Sequence, residues 1–73
     1  MVDEANMKAA FRTAYTVVSM HGSPEFTPAY FTGVASEFVR LVEENKENNL
    51  LRHLLVGVYG YLEEEARKRA NGN

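Results

Sequence analysis

The 73-residue chain has no cysteine. That removes a disulfide framework and any thiol nucleophile, while leaving the compartment open. Charge of one sign is also scarce: 10 Asp and Glu stand against 8 Lys and Arg, a net charge of -2. The imbalance is spread over both halves of the chain, so neither end is polarised. Nucleic acid and anionic membranes attract basic surfaces, and neither is an expected partner. Long apolar runs are missing as well. The longest, Leu54 to Leu62 with its two glycines counted in, is about half of what a bilayer span needs. The start, Met1-Val2-Asp3-Glu4, is acidic where a secretory signal would be basic. A cytoplasmic location is the expectation.

Catalytic signatures are equally sparse. There is no Gly-x-Ser-x-Gly, and Ser19, Ser23 and Ser36 have no evident base near them in sequence. No strand pattern precedes a glycine-rich loop, so a phosphate cradle is not expected. Paired carboxylates occur only within charge runs. The chain reads as a non-enzyme with no cofactor.

Apolar residues make up 45% of the sequence, an ordinary share for a soluble globular domain. One domain, 1–73, is all the length allows, and a domain of this size buries only about 60% of its unfolded surface. Its core is therefore thin. Two punctuating stretches, His21 to Pro28 and Glu43 to Asn49, divide the chain into three amphipathic segments. In the first, Met7, Ala10, Phe11, Ala14, Val17 and Val18 recur at helical spacing. Asp3 is the expected N-cap and Gly22 the expected C-cap, giving a helix over about 4–21. The second helix, about 28–44, opens with Thr27 as cap, Pro28 at the first helical position and Phe26 and Phe31 placed as a hydrophobic staple. The third, about 49–70, begins near Asn48 or Asn49 and carries Leu51, Leu54, Leu55, Val58, Leu62 and Ala66. Loose ends are expected only in the first residue or two and at 71–73. The fold class is all-α, a three-helix antiparallel bundle.

The apolar arcs of the second and third helices each span roughly 180°, whereas a helix docked on one neighbour needs little more than 100°. A closed bundle absorbs part of that width. Phe26, Tyr30, Val39, Val56, Tyr59 and Tyr61 are nevertheless many large groups for so small a bundle to cover. Association as a homodimer through helices 2 and 3 is the expectation.

Gly57 and Gly60 lie inside the third helix, where each costs about 1 kcal/mol relative to alanine. With His53 and Glu64 they line one flank of the arc, which points to close helix packing there or to a notch for a ligand. A large side chain at Gly57 is then expected to cut stability or dimerisation. His21 and His53 are the only histidines, and neither sits in a metal-ligand spacing. No metal is expected, and His21 is read as serving the carbonyl end of the first helix. In Glu63 to Arg69, three acid–base pairs at i, i+4 mark a solvated helix end.

The function expected from these readings is that of a small helical interaction or oligomerisation module, its partner a second copy or another protein. Tyr30, Val39, His53, Gly57, Tyr59, Gly60 and Tyr61 are its candidate interface residues. One alternative is a ligand- or metal-responsive regulator using His53, Gly57 and Gly60. A more distant one is a nucleic-acid-binding protein with Asn48, Asn49, Arg52 and His53 opening its reading helix. The apolar girth of that helix and its three glutamates oppose this, because a reading helix exposes a polar, basic face.

Overall fold

The computed structural model describes residues 3–72. Residues 1, 2 and 73 lie outside the described residues, and with them the Met1-Val2 reading and the last of the expected loose ends. Three helices make up the described chain: α1, Glu4–Met20; α2, Pro28–Glu44; and α3, Asn49–Ala70. No strand occurs among the described residues.

Each helix starts where a side-chain oxygen takes up an orphan backbone N–H. The Asn6 N–H donates to Asp3 Oδ1 (2.8 Å), the Tyr30 N–H to Thr27 Oγ1 (3.2 Å), and the Leu51 N–H to Asn48 Oδ1 (3.2 Å). Pro28 occupies the first turn of α2. Termination departs from the expectation at one place. α1 closes on His21, whose N–H reaches the carbonyls of Val17 and Val18, and Gly22 does not take up the left-handed conformation of a glycine cap. The chain turns off toward α2 without that reversal. At the far end Asn71 caps α3 and Gly72, at φ 85°, supplies the left-handed step. Those two residues form the helix stop.

α1 and α3 run parallel and pack together along most of their length. Asn48 marks one end of the seam: buried, it donates from Nδ2 to the Asn6 carbonyl at 3.0 Å while capping α3 with its other atom. α1 contributes Ala10, Ala14 and Val17 to the core, small residues that let its backbone lie close to Leu51, Leu55, Leu62 and Ala66. α2 runs antiparallel to α3 and buries only Val34 and Phe38. Phe31 and Phe38 meet the Tyr59 ring edge-on, at 5.5 and 6.2 Å between centroids. At the entry to α2, the Arg67 guanidinium lies 5.6 Å from the centre of the Phe26 ring.

α1 and α2 do not pack against each other along their lengths. The bundle is therefore open on that side, with principal extents of 43 × 19 × 16 Å. Its radius of gyration is 13.1 Å, against about 11 Å for an average globular chain of this length. Among the described residues no helix is long and apolar enough to cross a membrane.

Candidate functional site

α2 rests on α3 through bulky rings, and these two helices approach each other far less closely than α1 and α3 do. Between α2 and α3 runs an open groove of about 480 Å³. Successive turns of α2 supply Ala35, Phe38, Val39 and Val42, and successive turns of α3 supply Arg52, Leu55, Val56 and Tyr59. Phe38 and Leu55 are buried and form the floor. Val39 and Val56 stand on the two rims, 63% and 69% exposed. Two β-branched aliphatic residues on neighbouring helices thus add exposed apolar surface along the groove. Only the end of the groove is polar, where Glu43 and Arg52 sit opposite one another. The apolar surface continues over Ala35 and Val39 onto the outer face of α2, a shallow hollow flanked by Thr32, Ser36 and Arg40.

The residues singled out from sequence are dispersed by the fold. Val39 and Tyr59 come together in the groove. Gly60 lies one turn beyond Val56 on the same exposed side of α3, while His53 and Gly57 are further round, in solvent. Tyr61 is on the opposite flank, half exposed, beside the end of α1. Tyr30 is at the other end of α2. The close intrachain packing expected at Gly57 and Gly60 is absent: a methyl group added at either would meet no atom within 4 Å. The candidate interface read from sequence omits Val56, Arg52 and Glu43, although Val56 stands there among the large groups to cover and Arg52 at the opening of the third helix. Their signal lay in the antiparallel pairing of α2 with α3, which sets Val56 against Val39 and Arg52 against Glu43.

A second polar cluster joins the end of α1 to α2. His21 does not spend its ring on the α1 carbonyls. Its Nε2 lies 3.1 Å from Glu37 Oε1 and its Nδ1 2.7 Å from the Tyr30 hydroxyl. An ionised carboxylate can only accept, so Nε2 carries the proton and the Tyr30 hydroxyl donates to Nδ1. The sequence of carboxylate, imidazole and hydroxyl is that of an activated nucleophile, yet the electrostatics oppose activation. Burial, then the charge of Glu37, then that of Glu25 push the Tyr30 phenol above its ordinary 10.0, so it stays protonated. The trio is a clasp. Both ring nitrogens are already engaged by protein groups, and among the described residues no three His, Cys, Asp or Glu side chains converge on a point.

The remaining charged features hold the surface together. Of the three regular pairs expected at this helix end, Glu64 with Lys68 forms at 3.6 Å, while Lys68 also reaches Glu65 (3.2 Å) and Arg67 lies over Phe26. Glu4 and Lys8 pair at 3.5 Å as their spacing implies. Asn48, one of the residues weighed for base contact, is committed to its cap and to Asn6.

Compared with protein-family models, curated proteins and solved structures, the chain matches none. Its function has to be argued from this geometry.

Proposed function

We propose that the chain is a small helical protein–protein interaction module that works as a homodimer, the α2–α3 face of one copy covering that of the other. The apolar groove with its exposed valine rims carries the reading. Surface area supports it quantitatively. The chain exposes 5206 Å², whereas a closed monomer of its 8.2 kDa mass exposes about 4500 Å². The excess of roughly 700 Å² is close to the ~800 Å² that each partner buries in a standard stable interface. No catalytic role belongs to this reading.

Sedimentation equilibrium of the purified chain at tens of micromolar tests it. The expected mass is twice 8.2 kDa. A strict monomer across that range overturns the proposal.

A further inference from the structure

The groove also fixes how two copies fit together. Resting on the reading that this face is the seam of a homodimer, we infer that the two-fold axis runs along the groove, so that α2 of each copy lies antiparallel on α3 of the other.

The inference starts from the heights of the residues. Glu43, Val39 and Ala35 descend α2 one turn at a time, and Arg52, Val56 and Gly60 ascend α3 in the same steps of four. The helices are antiparallel, so each step of about 6 Å brings the next pair level. With Glu43 and Arg52 both at the polar end of the groove, this spacing puts Val39 near Val56 on the rims and Ala35 near Gly60 beyond them. A two-fold axis that lays this face on its copy lies in the plane of the face, either across the groove or along it. An axis across the groove sets α2 on α2 with heights reversed. That reversal lays Glu43 and the other residues at the polar end of α2 against the apolar far end. An axis along the groove sets α2 on α3 and keeps every height. Only this one matches like with like.

Three independent features of the chain then find a use. Arg52 makes no ion pair among the described residues, and Glu43 holds only the solvent-exposed Lys46 at 3.2 Å. In the dimer each Arg52 faces Glu43 of the second copy, giving two symmetric charge pairs at the mouth of the seam. Val39 and Val56 exchange water for each other. Gly60 has open space where a side chain would be, a helix-weakening residue with no intrachain cause. Opposite Ala35 of the second copy it lets two backbones approach to close-packing distance. Every neighbouring helix in the resulting four-helix core is antiparallel, so the helix dipoles alternate.

The absence of native cysteine makes the geometry readable by cross-linking. Val39→Cys and Val56→Cys chains, differently tagged, are mixed and mildly oxidised. The expected product is the 39–56 heterodimer, formed in excess over either homodimer. Predominant 39–39 cross-linking overturns the geometry. In parallel, Arg52→Glu and Glu43→Arg are each expected to weaken self-association about tenfold at low salt, and mixing the two variants restores it. No recovery on mixing counts against the geometry. A third variant, Val39→Glu at an exposed position, separates this failure from a deeper one. If it yields a helical monomer while the cross-link and the charge mixing fail, the seam stands and the axis is wrong. If it leaves the dimer at full strength, the groove is not the seam and both readings fall.

Discussion

α3 has two neighbours and treats them differently. Against α1 it lays leucines on alanines, and the two backbones run side by side from Asn6 and Asn48 to the pocket shared by Val18 and Tyr61. Against α2 it meets aromatic rings, which hold the helices apart and leave the groove. Residue size at the contact thus goes with how closely the helices approach. The α1 seam is closed within the chain, whereas the α2 side keeps an open apolar groove.

The sharpest way to break this contrast is one substitution made on each side. Ala10, fully buried in the α1 seam, changed to leucine forces extra volume into a packed interface and is expected to cost about 2 kcal/mol of unfolding free energy in urea titration. Ala35→Leu, on an exposed groove position, is expected to change monomer stability by less than about 0.5 kcal/mol and to act on self-association instead. Equal costs at both sites would remove the distinction.

Next in size is Asn48→Ala. It removes the cap of α3 and the tie to Asn6 together, and about 1 to 2 kcal/mol should go with them. The same change at Thr27, a cap on α2 alone, is expected to cost less.

The clasp gives a smaller, pH-dependent effect. The Tyr30 phenol titrates above 10.0 in the folded chain, and so the unfolded chain loses its proton first. Its contribution is whole below pH 10 and is lost as the pH rises through the folded value. Stability measured from pH 9 to 11 should therefore fall less steeply in Tyr30→Phe than in the parent. An unchanged slope would separate Tyr30 from the clasp's energetics.

Smallest is Gly57→Ala, expected to raise the melting temperature through up to about 1 kcal/mol of helix propensity. Nothing in the chain or the proposed seam touches that position. The loss anticipated there for a large side chain has no intrachain contact to carry it. A wheel shows that glycines line up, but not whether anything packs against them.

The same limit separates what was legible in the sequence from what was not. Caps are local, and Asp3, Thr27 with Pro28 and Asn48 could be read because donor and acceptor lie three residues apart. Helix bounds followed from them to within a residue. The His21, Tyr30 and Glu37 clasp spans two elements and a turn, and no spacing in one dimension announces it. Val39 and Tyr59 stood out at the margins of over-wide arcs. Val56 stood out with them only as a large group to cover, and its pairing with Val39, like that of Arg52 with Glu43, appears only once α2 and α3 are set antiparallel. Gly22 misled for a related reason: a left-handed cap is needed only if the chain leaves the helix in one particular direction, which the residues of α1 do not determine.

The hydrogen bond from Asn48 to Asn6 closes a span of 42 residues, and α2 lies inside that span. α1 and α3 are parallel, so the chain must travel back the full length of α1 before α3 can start beside it. α2, with 17 residues and about 25 Å of rise, is the ruler that measures this return. Its length sets which residues of α1 and α3 face each other, and adding one turn to it would slide the α1 seam by about 6 Å. A helix whose task within the chain is distance needs only a narrow strip of its surface for contact. The rest of its circumference is free to be shaped by a partner.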